Sequence, residues 1–195
     1  MSEFDNLKLD DLNEHEMSAL RAYKAASDSN NQSACFDLNR ELRNGLSIND
    51  LSAELRSVAE GLDSVFARCP RLERPVTVYR AVGWCWHLPL HERDKRFRSL
   101  EYWSTSATQT SFEAFLKAPF KGARGAVLTL HLPVGFPAYN METLEGFGGH
   151  EAELLLPRAT LWTVRAADLL AKEEIPLFVR EDFETVVRAE LEAQV

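Results

Sequence analysis

Apolar positions in the first third of the chain recur at helical spacing, and from Pro75 onward they switch to short β-rich runs. Asn13 with Glu16 three residues later is a capping box, and Met17, Leu20 and Tyr23 then mark one face of a helix of about three turns. Asn30 and Asn31 break that pattern. Cys35, Leu38 and Leu42 predict a second helix, which Asn44-Gly45 ends. Ser47 to Asp50 reads as a further capping signature, and Leu51, Leu55, Val58, Leu62 and Val65 trace a third helix before Pro70.

The β-rich runs are 76–82, 102–107, 126–132, 151–156, 161–164 and 177–180. Thr110 with Glu113 predicts one short helix, 111–118, among them. Helices first and strands afterwards argue for an α+β fold with a mixed, mainly antiparallel sheet, rather than a βαβ repeat. No linker or repeat divides the chain, so residues 1–195 read as one domain with a helical part (1–70) and a β-rich part (75–195). Between Pro133 and Gly149, four glycines and two prolines without clear period predict a long loop.

Composition narrows the functional classes. The 195 residues are enough for a substantial core without disulfide or metal, and no stretch approaches the ~18 apolar residues of a membrane span. A formal net charge of -8 opposes binding to phosphate backbones or anionic membrane surfaces, so nucleic acid and membrane are disfavoured as partners. The basic run 91–98 is diluted by Glu92 and Asp94 and reads as a solvated loop. The acidic N-terminus lacks the features of a secretory signal, which predicts a cytoplasmic protein, or one delivered to another cell's cytosol by a different route. Cys35, Cys69 and Cys85 are odd in number and form no CxxC pair, so they read as reduced thiols. His87 and His91 could share a helix face, but Pro89 lies between them and no third ligand is evident; no metal is expected. Neither a GxGxxG nor a P-loop is present.

Three short strings fall on predicted strands: Val78-Tyr79-Arg80, Trp103-Ser104-Thr105-Ser106, and Glu151-Ala152-Glu153. Side chains alternate along a strand, so Glu151 and Glu153 would share a face with ~7 Å between their Cα atoms. On that ground alone they could be paired site carboxylates or two carboxylates on an exposed face. By the same alternation Ser106 shares a face with Ser104, and Thr105 points to the other side. Trp84 and Trp86 could stack on a planar ligand or pack in the core.

The order of these strings, with the helical block before them and a glycine-containing loop running into E-x-E, resembles the R-S-E class of mono-ADP-ribosyltransferases. That clade includes C2/C3-like bacterial toxins, injected bacterial effectors and T-even phage enzymes. The likeness extends to Tyr23 and to Leu38-Asn39-Arg40-Glu41-Leu42-Arg43. It implies NAD+ as co-substrate and no metal. It assigns Arg80 to the pyrophosphate, Ser104 to orienting Glu153, and Glu153 to a ribose hydroxyl and the oxocarbenium-like transition state. Thr105 and Ser106 belong to the same NAD-binding strand. Glu151 would act on the acceptor side; glutamate at this first position goes with arginine acceptors in the family. Phe147 matches the aromatic that the acceptor loop presents to a target, unless it folds against the core. The partners implied are a target protein bearing the acceptor arginine and, for a toxin, an immunity or inhibitor protein; the enzyme itself is expected to be a monomer. The alternatives on the same fold are an NAD glycohydrolase and a catalytically inactive binding module.

Overall fold

The structure is a computed structural model that describes residues 4, 6–25, 34–85, 87–108, 120–144, 152–175 and 179–195. Its elements are helices α1 (Glu14–Lys24), α2 (Ala34–Arg43) and α3 (Ala53–Arg68), then strands β1 (Val76–Val82), β2 (Arg96–Arg98), β3 (Trp103–Ser106), β4 (Ala123–Leu132), β5 (Tyr139–Asn140), β6 (Glu153–Leu156), β7 (Leu161–Leu169) and β8 (Phe183–Gln194). This is the α+β order that the change of period predicts. The described residues divide into two compact units.

The first unit comprises Met1–Leu72, Ser99–Trp103 and Pro137–Ala159. The Asn13/Glu16 capping box that opens α1 is present, each side chain bonded to the other's backbone N–H. Leu38 and Leu42 of α2 meet Val58, Ala59, Leu62, Val65 and Phe66 of α3 in one core with Leu20 and Tyr23 of α1. Fully burying such a side chain contributes on the order of 1.5–3 kcal/mol, so the apolar stripe holds α3 in place more than its propensity does. Helices α1 and α3 approach closely at Gly61, where an added Cβ would lie 2.4 Å from the Ala19 Cβ. Ser47 stands at the N-cap position of a separate 3-10 turn, Ile48–Asp50, but its side chain makes no capping bond to the backbone. The N-cap of α3 is Ser52, whose Oγ accepts from the Leu55 N–H.

The stretch after Pro133 is not the long irregular loop its glycines suggest. Tyr139 and Asn140 form β5, which pairs antiparallel with β6, and a 3-10 turn follows at Met141–Thr143. Ala138, Tyr139, Met141 and Leu144 are buried. Tyr139, Met141 and Leu144 tie the segment to the helical core, and only its end, 145–151, lies outside the described residues.

The second unit comprises Glu73–Arg98, Ser104–Phe136 and Thr160–Val195. Its strands lie in the order β2-β7-β8-β4-β1-β3, with β4 and β8 parallel and the other neighbours antiparallel. The basic run is partly a strand: β2 pairs with β7, exposing Arg96 and Arg98 and half-burying Phe97. Charged side chains on an edge strand discourage pairing with another chain. Of the run predicted at 177–180, Val179 and Arg180 form a turn, and the strand comes later, as β8. The helix predicted at 111–118 lies outside the described residues.

None of the three cysteines is in a disulfide. Burial pushes the Cys69 thiol up to about 11 and raises that of Cys85, which keeps both protonated near neutrality.

Candidate functional site

Strand β1 is β-branched and alternating, and Val76 and Val78 turn one face into the core. Arg80 follows them on that face at the far end of the strand, half-buried. Hydrogen bonding to β4 on one side and β3 on the other fixes the backbone under it. Its Nη1 donates to the Ser104 carbonyl at 2.6 Å, a charge-assisted bond that holds the guanidinium against β3.

On β3, Ser106 stands opposite Tyr79 of β1. The Ser106 Oγ donates to the Thr108 carbonyl at 3.1 Å and accepts from the Thr108 N–H at 3.2 Å, which closes a tight turn beyond the strand. Thr105 and Ser106 are buried and Ser104 is half-buried. Arg80 and the S-T-S strand are thus neighbours.

In the other unit, Glu153 opens β6. Its Oε2 accepts from Lys24 Nζ, the last residue of α1, at 3.0 Å. The Glu142 carboxylate lies 3.8 Å from the same ammonium and also accepts from the Glu153 N–H at 3.4 Å. The Lys24 and Glu153 side chains are only 11% and 12% exposed. Sequence reasoning missed Lys24 and Glu142. Neither belongs to a motif, and Lys24 reads as an ordinary cation in the last turn of a helix.

Ala152 has φ 46° and β6 begins after it, so the alternation invoked to put Glu151 on the face of Glu153 does not run through this residue. Glu151, Phe147 and Trp86 lie outside the described residues. Trp84 packs edge-on against Phe120, ring centroids 4.8 Å apart. Among the described residues no group of three or more His, Cys, Asp and Glu is placed to hold a metal ion, and no helix is long and apolar enough to cross a membrane.

Behind the entry to β3 stands a buried polar node. Asn39 Nδ2 donates to the Tyr23 hydroxyl at 2.9 Å and to the Tyr102 carbonyl at 3.1 Å, while the Tyr102 N–H donates to Asn39 Oδ1 at 3.2 Å. The Tyr102 hydroxyl donates to Asp63 of α3 at 2.6 Å, and Arg158 pairs with the same carboxylate. Burial, first, and the Asp63 charge raise the Tyr102 phenol far above its ordinary range, so it stays protonated and keeps its bond to Asp63. Nearby, the buried Glu101 accepts from Trp103 Nε1 at 3.2 Å and lies 3.5 Å from Arg43.

No curated protein matches the chain in sequence. Solved structures share its fold. Plx2a, an ADP-ribosyltransferase toxin from Paenibacillus larvae, is 17% identical, with a TM-score of 0.68 over 94% of this chain and 88% of that one. The C3 exoenzyme of Clostridium limosum is 18% identical, with a TM-score of 0.67 over 99% and 90%. Exoenzyme S from Pseudomonas aeruginosa, solved with human 14-3-3 protein beta and bound to Carba-NAD, is 19% identical, with a TM-score of 0.65 over 92% and 74%. The ADP-ribosyltransferase exoenzyme family profile matches residues 3–182, most of the chain's length, and the chain belongs to that family.

Proposed function

We propose that this chain is a mono-ADP-ribosyltransferase that breaks the nicotinamide–ribose bond of NAD+ and transfers ADP-ribose to an arginine of a target protein. In this reading residues 1–195 act as one catalytic domain, in the cytosol of a target cell, as a bacterial effector or toxin or as a phage host-modifying enzyme. The observation that carries it is the family match over residues 3–182, which spans Arg80, Ser104, Glu151 and Glu153 in the order the resemblance implies.

The chemistry suits those residues. When the bond breaks, its electron pair leaves with nicotinamide and positive charge builds on the ribose, where a fixed carboxylate stabilises it. Glu153 takes that role, oriented by Ser104. Arg80 contributes a permanent charge and a planar fork of donors to the pyrophosphate, a match lysine cannot reproduce. Thr105 and Ser106 complete the strand beside the nucleotide. The guanidinium nitrogen of the acceptor then attacks the ribose carbon, and Glu151 takes the proton that this nitrogen must lose. Phe147 contacts the target protein.

Nicotinamide release and transfer of labelled ADP-ribose to lysate proteins test this reading. Glu153→Gln should lower both by ~10²-fold or more in protein that is still folded at the assay temperature, because one preorganised electrostatic group is lost. A folded Glu153→Gln protein with near-wild-type turnover removes Glu153 from the mechanism.

A further inference from the structure

The ion pair between α1 and β6 has no part in the chemistry above, yet it lies on the carboxylate assigned to the transition state. A lysine side chain with 11% exposure is uncommon unless paired, and Lys24 faces two carboxylates that come from different elements. Both carboxylates are braced. Asn140 donates through Nδ2 to the Phe4 carbonyl at 3.0 Å, and its Oδ1 accepts from the Glu142 N–H at 3.0 Å, which fixes the turn carrying Glu142. Glu153 begins a strand whose next residue, Leu154, pairs with that same Asn140.

We infer that Lys24 is a positioning residue for Glu153: its ammonium fixes the direction of the Glu153 carboxylate and offsets the repulsion of Glu142. The inference rests on the role of Glu153 proposed above. A glutamate carboxylate turns broadly about its terminal bond, and a donor 3.0 Å from Oε2 restricts that rotation. One ammonium between two carboxylates leaves the cluster with a net negative charge, the sign an oxocarbenium ion requires. Without Lys24, Glu142 and Glu153 would repel each other across a half-buried space, and the simplest relief is for Glu153 to swing toward water.

The test uses Lys24→Met, which keeps the stem and removes the charge, and Lys24→Arg, which restores a cation. Nicotinamide release, NAD affinity by tryptophan fluorescence and melting temperature are measured on each protein. Lys24→Met should lower kcat by roughly 10-fold to 100-fold with NAD affinity changed by less than about threefold, and Lys24→Arg should recover most of the rate, since misplacing a reacting group costs rate rather than binding. Wild-type kcat in Lys24→Met overturns the inference. So does a loss that only tracks the unfolded fraction, or one that Lys24→Arg leaves unrelieved, because either marks a purely structural ion pair. A wild-type protein that neither binds NAD nor releases nicotinamide overturns the transferase reading and this one with it.

Discussion

Asn39 and Tyr102 bind each other twice: the Asn39 amide nitrogen donates to the Tyr102 carbonyl at 3.1 Å, and the Tyr102 N–H donates to the Asn39 amide oxygen at 3.2 Å. A side chain of α2 thus replaces a strand partner for the residue just before β3, where the S-T-S string begins. Both groups are buried, so removing the amide strands the Tyr102 N–H away from water, while the Tyr102 carbonyl keeps only the longer bond from the Tyr23 hydroxyl at 3.3 Å. Asn39→Leu should lower unfolding free energy by ~2–4 kcal/mol, read as a lower urea midpoint with unchanged slope. A midpoint within experimental scatter of wild type would show that the node contributes little.

Glu16 joins α1 to α3 through an equally buried carboxylate. Burial pushes its carboxyl up, but donors from Ser64, the Asn13 N–H and Arg68 outweigh that, and the group lies below the usual carboxylate range. A depressed folded value contributes stability above the unfolded pKa of ~4.3 and loses it as pH falls through the folded one. Glu16→Gln should therefore be less stable than wild type at pH 7 by ~1–3 kcal/mol, and the difference should shrink as pH drops below 4. A stability gap that stays constant from pH 7 to pH 3 contradicts the assignment.

Arg80→Lys tests the other end of the proposed cleft chemistry. Lysine keeps the charge but neither the fork nor the reach that bonds Ser104. NAD affinity should fall by about 10-fold or more, with a smaller effect on nicotinamide release at saturating NAD. Unchanged affinity would remove Arg80 from pyrophosphate recognition.

What the sequence shows clearly is whatever a local pattern controls. The stripe of α3, the capping box of α1 and the alternation in β1 and β4 each report a buried face directly. Strand β8 stayed hidden because its Arg188-Ala-Glu-Leu-Glu-Ala193 segment is made of good helix formers. Parallel pairing with β4 and antiparallel pairing with β7 override that preference, and within that segment the sign of a strand is that buried Ala189, Leu191 and Ala193 alternate with more exposed residues. The segment after Pro133 misled in the opposite sense, since its buried aromatics follow no simple period. Motif order pointed to Arg80, the S-T-S strand and Glu153 as candidates. Lys24 escaped because 129 residues separate it from its partner, and only the fold brings them together.

The central claim, ADP-ribosyl transfer to arginine, is tested most directly by two rates on one folded variant, Glu151→Gln: arginine-linked ADP-ribose formed, and nicotinamide released without acceptor. If Glu151 takes the guanidinium proton, the first rate should collapse by ~10²-fold or more while the second persists, because the Glu153 carboxylate that stabilises the ribose cation is untouched. Parallel loss of both rates, as a dedicated glycohydrolase would show, or arginine modification at the wild-type rate, would contradict the account.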